Sequence, residues 1–297
     1  ANGSIRPHDV RVPGILVDAV VEAPDMLQTT ATPYDPAISG EVIRPLDSFH
    51  MMDFGVPKVI ARRVAQELRK GWAVNIGFGV SANVPRIFLE EGCHGDVTWV
   101  IEQGAVGGVP LLDFKFGCAA NAEAFVASPH QFSYFQAGAF DASLLSFLEI
   151  DAEGSVNVSR LRATPHRTAG AGGFVDITAR AKTIVFSGTF NAGAGMRIDD
   201  GRLVIDKEGH TAKFVPKVDQ VSFSGRRALA QGQNATYVTE RCVIKLTKNG
   251  LIVTEIAPGI DLQADVLDQS ATPLQVADDL REMDAELFRS ESFGLSL

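Results

Sequence analysis

Glu102 follows five residues suited to a buried strand, Val97, Thr98, Trp99, Val100 and Ile101, and precedes Gly104, Gly107, Gly108 and Pro110. β-Branched and aromatic side chains in an unbroken run fit the interior of a parallel sheet. The glycines and proline after the run predict that the chain leaves the sheet at once, with its backbone close to another group. In open parallel sheets, ligands bind beyond the carboxyl ends of the strands. A lone carboxylate at such an end can serve as a nucleophile or a base; it can equally cap a turn or pair with an arginine. The residues alone leave both roles open.

Two further glycine-rich runs bear on this carboxylate. Asn75-Ile76-Gly77-Phe78-Gly79 reads as a strand entering a turn, with a helix over Asn83–Glu91 behind it. Strand, glycine-rich turn and helix can hold a phosphate or oxyanion at the helix N-terminus, or can simply be a tight turn. The spacing is not Gly-x-Gly-x-x-Gly and no Walker lysine follows, which argues against dinucleotide and P-loop sites. The second run, Gly170-Ala171-Gly172-Gly173-Phe174-Val175-Asp176-Ile177, follows a mobile-looking stretch over 165–169 and leads into a short helix ending near Ala181. No Ser-His-Asp or Cys-His arrangement is evident, and Cys93-His94 lacks the partners of a metal site.

Composition limits the partners. The 297 residues carry a net charge of −9, which argues against nucleic acid or an anionic membrane, but local backbone N–H groups can still hold an anionic ligand. The three cysteines, Cys93, Cys118 and Cys242, are scattered and point to a reducing compartment without a disulfide framework. No long apolar run or signal peptide is present in the sequence. The first residue is Ala1 rather than Met, which suggests a processed chain or a fragment.

These residues need a scaffold. Residues 1–55 read as a linker, with a strand at Ile15–Val21 and then Pro24, Pro33, Pro36 and Pro45 in a polar setting. Val56-Pro57 opens a helix that Gly71 ends; Val59, Ile60, Val64 and Leu68 form its apolar stripe, and Arg62, Arg63, Gln66 and Arg69 its solvated face. A strand over 72–76, the helix over 83–91 and the strand ending at Glu102 make a β-α-β unit. Further buried or extended segments span 144–150, 154–159 and 182–187. In the last third, 202–206 and 211–215 flank Lys207–His210 as a hairpin, and 218–223, 235–239, 242–246 and 251–256 read as strands. Asn249-Gly250 turns the last pair. A helix starts near Leu262, and an amphipathic helix spans Pro273–Phe288 through Leu274, Val276, Leu280, Met283, Leu287 and Phe288.

The segment around Glu102, together with Asn75–Gly79, Gly170–Ile177 and Thr254–Asp261, resembles family I coenzyme A (CoA) transferases, and among them the fused single-chain acetate/propionate type. The four segments occur in the family's order over nearly the whole chain. The resemblance implies two similar open α/β halves with the active site between them, this chain being the second, glutamate-bearing half. Its expected fold is an open, mostly parallel sheet flanked by helices, with extra antiparallel strands in the C-terminal third. Residues 1–55, with Val12–Asp18, would be the linker between halves, and 56–297 the transferase domain.

The implied reaction moves CoA between a short-chain acyl-CoA and a free carboxylic acid such as acetate or propionate, through a glutamyl-CoA thioester on Glu102. Gly172 and Gly173 would donate N–H groups to the thioester oxygen. Asn75, Gly77, Gly79, Gly107 and Gly108 would bind CoA, a co-substrate rather than a resident cofactor, and no metal is implied. Phe114, Phe116, Phe125, Phe132, Tyr134, Phe135 and Phe140 would wall the acyl pocket, core packing being the other role for most of these rings. The implied partners are a first half of the enzyme and further copies in a homo-oligomer, with no nucleic acid and no membrane, in the cytoplasm. The first half's Gly-Gly-Phe-Gly segment is not found here, and Gln103 stands where family members carry Ser, Asn or His. An acyl-CoA hydrolase of the same fold, or a non-catalytic half that binds CoA or a partner chain, are the alternatives.

Overall fold

The computed structural model describes residues 3–30, 32–166 and 168–297. Arg167, inside the stretch expected to be mobile, lies outside them. The chain divides into two units, Ala1–Asp35 and Pro36–Leu297.

Among its described residues the first unit has no helix or strand beyond short 3-10 turns, Pro7–Asp9 and Gly14–Leu16. The strand expected at 15–21 does not form: Ile15 is 93% exposed and Val20 and Val21 are each 84% exposed. An apolar run becomes a strand only with a partner edge and a core to cover it, and this run has neither.

The second unit is built on a ten-stranded sheet. Its strands are β1 (Ala73–Ile76), β2 (Thr98–Val100), β3 (Ala105–Val106), β4 (Ala124–Phe125), β5 (Ala142–Ser146), β6 (Thr183–Ser187), β7 (Asn234–Val238), β8 (Cys242–Thr247), β9 (Gly250–Ile256) and β10 (Gln275–Glu282). In space they run β10-β9-β8-β7-β6-β5-β1-β2-β3-β4. β2, β1, β5, β6 and β7 are mutually parallel. β8 and β9 continue the sheet antiparallel on one side, and β3 and β4 do so on the other. The helices are α1 (Val56–Ala65), α2 (Val84–Glu90), α3 (Ser128–Gln136), α4 (Phe174–Arg180) and α5 (Gly225–Ala230). Trp99 of β2 meets Phe88 of α2 edge-on at 5.1 Å, which locks the β1-α2-β2 unit. From β1 the chain crosses to β2 on one side and later returns as β5 on the other, so the carboxyl end of β1 is a topological switch point.

Several elements differ from the sequence expectations. Arg62 and Arg63 are buried, not solvated. Arg62 donates to the carbonyl oxygens of Arg289 and Glu291, both at 2.6 Å, and so anchors the C-terminal segment. Arg63 grips Glu255 through Nε at 2.7 Å and Nη2 at 3.0 Å. The segment 202–207 pairs backwards with Gly195–Asp199 instead of forward with 211–215. The turn is Asp200-Gly201, where both residues have positive φ, 45° and 70°; this Asp-Gly pair is the stronger hairpin signal. Residues 218–223 form no strand, only an isolated bridge from Phe223 to Val156. The expected terminal helix is strand β10, parallel to β9 at the sheet edge, followed by a 3-10 turn at Ala285–Phe288. The open edge of β9 and the Arg281–Glu255 ion pair at 2.6 Å outweigh the helical spacing of its apolar residues.

Candidate active site

β2 ends one residue before Ile101, and the chain does not leave the sheet. It turns back through Glu102–Gly104 and rejoins as β3, antiparallel to β2. Ile101 N–H donates to the Ala105 carbonyl and Gly104 N–H to the Ile101 carbonyl, both at 2.9 Å. Gly104 has φ of 114°, and a Cβ there would collide with the Val126 carbonyl oxygen. The glycine is therefore required by the molecule's own backbone. Buried Gln131 of α3 donates from Nε2 to the Ile101 carbonyl at 3.1 Å and fixes the end of the strand. The sequence signals this residue only as an amide on the inner face of a helix.

The turn projects the half-buried Glu102 side chain into a cavity of about 290 Å³. The wall comes from the carboxyl ends of β1 (Ile76, Gly77, Phe78) and β5 (Leu145, Ser146), with Phe116, Val158, the run Ala169–Gly172, and Phe174 and Ile177 of α4. This is the crevice at the switch point. Gly173 N–H donates to Glu102 Oε2 at 3.2 Å. Burial raises the Glu102 carboxyl above the ordinary glutamate range, and the Gly173 N–H offsets only part of that rise. On the other side, Gln103 Nε2 lies 3.5 Å from Glu102 Oε1.

The two glycines before α4 differ. Gly172 has φ of 54°, and a Cβ there would stand 3.3 Å from Glu102 Oε1. Gly173 has an ordinary φ of −75°. A Cβ on Gly173 would come 2.6 Å from Glu102 Oε2 and 2.9 Å from the Phe132 ring. Gly173 is glycine because of what lies beside it, not because of its backbone angle.

Of the other residues singled out, Gly77 borders the cavity, and its N–H is engaged by the Leu144 carbonyl at 2.7 Å. A Cβ on Gly77 would meet Leu145 Cδ2 at 2.7 Å. Asn75 also borders the cavity and ties strands together: Nδ2 donates to the Val100 carbonyl and Oδ1 accepts from the Ser143 hydroxyl, both at 3.0 Å. Gly79 has φ of 101° and faces Ser146, whose Cβ would be 3.2 Å away. Gly107 and Gly108 do not border the Glu102 cavity. They line a separate one of about 450 Å³, with Val97 and Thr98 at the amino end of β2. Their positive φ angles, 73° and 70°, bring them against Glu123 and against Ala120 and Asn121. Of the rings, Phe116 borders the Glu102 cavity and Phe132 stands against Gly173, while Phe135 and Phe140 are buried core. Phe114 and Phe125 are exposed.

All three cysteines are free. No helix among the described residues is long and apolar enough to cross a membrane.

No protein-family model matches the chain. Caffeate CoA-transferase of Acetobacterium woodii is 41% identical over 297 residues, covering 98% of this chain and 57% of the relative. Acetate CoA-transferase YdiF of Escherichia coli strain K12 is 36% identical over 296 residues, covering 99% of this chain and 55% of the relative. The chain thus spans about half the length of these curated relatives. The acetate CoA-transferase subunit beta of the same strain is 28% identical over 238 residues, 77% of this chain and 97% of the subunit. The crystal structure of acyl-CoA transferase YdiF from E. coli O157:H7, in a thioester complex with CoA, matches with a TM-score of 0.88 at 36% identity, over 100% of this chain and 55% of that one. A glutamate turned into a switch-point crevice against Gly173, on a fold and sequence shared along the whole chain, makes the conclusion plain: the chain belongs to family I of the coenzyme A transferases.

Proposed function

We propose that this chain carries the glutamate half of an enzyme that moves CoA between a short-chain acyl-CoA and a free carboxylic acid. The observation that carries the reading is Glu102 itself, a half-buried carboxylate with Gly173 N–H on one oxygen, at the end of a parallel strand. Burial strips water from the carboxylate and strengthens it as a nucleophile. It attacks the acyl-CoA carbonyl carbon; a C–O bond forms, the C–S bond breaks, and CoA leaves as thiolate with the electron pair. The thiolate attacks the glutamyl carbon of the mixed anhydride. A C–S bond forms and the first acid leaves as its carboxylate. The second acid then runs the sequence in reverse. Each tetrahedral step places charge on an oxygen, and the Gly173 N–H supports the one on the glutamyl group. Carboxylate and thiolate are already anionic, so no general base is needed.

Among the described residues, the cavity wall carries no cationic side chain. Against the described wall a second carboxylate on the acid would be desolvated without a cation, which supports monocarboxylic acids with apolar bodies. Gly77 and Gly170–Gly172 border the cavity, which supports assigning their backbone to the pantetheine arm. Three free thiols support a reducing, cytoplasmic setting. The likeness to a separate beta subunit supports a partner half that completes the site.

The test is isotope exchange between acetyl-CoA and labelled acids, with the chain alone and with the first half of the YdiF relative added. Acid-dependent formation of new acyl-CoA supports transfer. CoA release at a rate independent of added acid supports hydrolysis instead and overturns the reading.

A further inference from the structure

Gln103 follows Glu102 directly, and its exposed side chain lies between Gly117 and the Glu102 carboxylate. The next residue is pinned, since Val126 N–H donates to the Gly104 carbonyl at 2.8 Å. The Gln103 amide rests on Gly117, which has φ of 97°. A Cβ on Gly117 would come 2.8 Å from Gln103 Cδ and 2.9 Å from Nε2. The space that Gly117 leaves is therefore filled by the amide, whose Nε2 lies 3.5 Å from Glu102 Oε1. Gly173 N–H holds the other oxygen, Oε2, at 3.2 Å. The two carboxylate oxygens are approached by different donors.

We infer that Gln103 is a positioning residue that distinguishes the two oxygens of Glu102, with Gly117 providing its seat. The inference rests on the covalent role of Glu102 proposed above. Oε2, on the rigid backbone donor, stays as the carbonyl oxygen of the glutamyl intermediates. Oε1, beside the Gln103 amide, is the oxygen that bonds to the acyl carbon. When CoA thiolate attacks the glutamyl carbon, the bond from that carbon to Oε1 breaks. Oε1 departs within the released carboxylate, taking the electron pair. The Gln103 amide then donates to an oxygen that is gaining charge. A loose contact in the resting enzyme suits this task, because such bonds shorten as charge develops. A Cβ on Gly117 would push the amide away from this place, so the amide and the Gly117 seat belong together.

The experiment uses Gln103→Ala, Gln103→Glu, Gly117→Ala and the double variant Gln103→Ala/Gly117→Ala, in the complete enzyme with its first half, with Glu102→Ala as reference. Gln103→Ala lowers kcat by about tenfold or more with KM for acyl-CoA little changed, the pattern of a lost transition-state contact. Gln103→Glu places a second carboxylate beside Glu102, so the acid limb of the pH–rate profile moves to higher pH. Gly117→Ala lowers kcat in the parent but not in the Gln103→Ala background, whatever it does to melting temperature, as expected for residues that act as one unit. Equal kcat losses from Gly117→Ala in both backgrounds, or an unmoved acid limb in Gln103→Glu, overturn the inference while Glu102→Ala stays inactive. Activity in Glu102→Ala overturns the underlying reading instead.

Discussion

Gly173 donates its N–H to Glu102 Oε2 at 3.2 Å while holding an ordinary helical-side φ of −75°. An L-residue could adopt that angle, so backbone strain is removed from the argument at this position. At Gly172, by contrast, φ is 54°.

The first prediction uses this difference. Gly173→Ala puts a Cβ 2.6 Å from Oε2 and displaces the carboxylate from its donor. Losing one such donor costs about 3–4 kcal/mol of transition-state stabilisation, so turnover falls by roughly a hundredfold or more. Thermal melting falls only by what the Phe132 ring, 2.9 Å from the new Cβ, must give, since the angle is permitted. Gly172→Ala lowers melting temperature through its positive φ, and Gly172→Asn, which tolerates that region, recovers most of the stability. Parallel loss of stability and turnover in Gly173→Ala would assign the glycine to the fold alone.

The second prediction concerns pH. Burial raises the Glu102 carboxyl above its unfolded value, with Gly173 only partly opposing. Activity requires the ionised form, so the rate climbs through a pKa above the ordinary glutamate range. For stability the sign is the reverse. A raised folded pKa gives stability that is full below the unfolded pKa and is lost as pH rises through the folded one. Glu102→Gln, which never ionises, therefore loses activity yet melts no lower than the parent at neutral pH. A marked drop in melting temperature there would contradict this.

The third prediction concerns the ion pairs under α1. Glu255 is 3% exposed and Arg63 4% exposed, joined through two hydrogen bonds. Burial alone would raise the Glu255 carboxyl; the hydrogen bond and charge of Arg63, then Arg281, outweigh it and hold it low. Glu255→Leu leaves buried Arg63 with Glu67, 2.8 Å from Nη2, and lowers unfolding free energy by at most about 3–5 kcal/mol, and adding Arg63→Met recovers most of the loss. Urea unfolding of the two single variants and the double variant measures both.

Much of the site was legible because its chemistry is local. The strand before Glu102 and the glycines before α4 each announce themselves within a few residues. What the sequence concealed depends on distant partners. Arg63 looks solvated on a helical wheel until Glu255, 192 residues away, is folded against it. The residues of β10 have helical spacing, and only the open edge of β9 makes them a strand. Gly107 and Gly108 sit in a catalytic-looking motif, yet they are glycines so that Glu123, Ala120 and Asn121 can approach.

The fourth prediction concerns the C-terminal segment. The Glu91 carboxylate accepts from Ser292 Oγ at 2.7 Å and from the N–H groups of Phe293, Gly294 and Leu295 at 3.1, 3.0 and 3.2 Å. Burial would raise this carboxyl, but these donors together hold it below the ordinary range. A depressed folded pKa gives stability that is present above the unfolded pKa and is lost as pH falls through the folded one. The segment 292–295 therefore loosens in acid before the core does. Hydrogen exchange of those amides, measured as pH falls, speeds up early in the parent and is fast at all pH values in Glu91→Gln.

The covalent role of Glu102 is tested most directly by the intact mass of the protein after incubation with acetyl-CoA, with the first half of the YdiF relative present, followed by peptide mapping. The account predicts a gain equal to one CoA less one water, placed on the peptide that contains Glu102, reversed by added acetate and absent in Glu102→Ala. An adduct on any other residue, or continuing acid-dependent CoA transfer by Glu102→Ala, would contradict it.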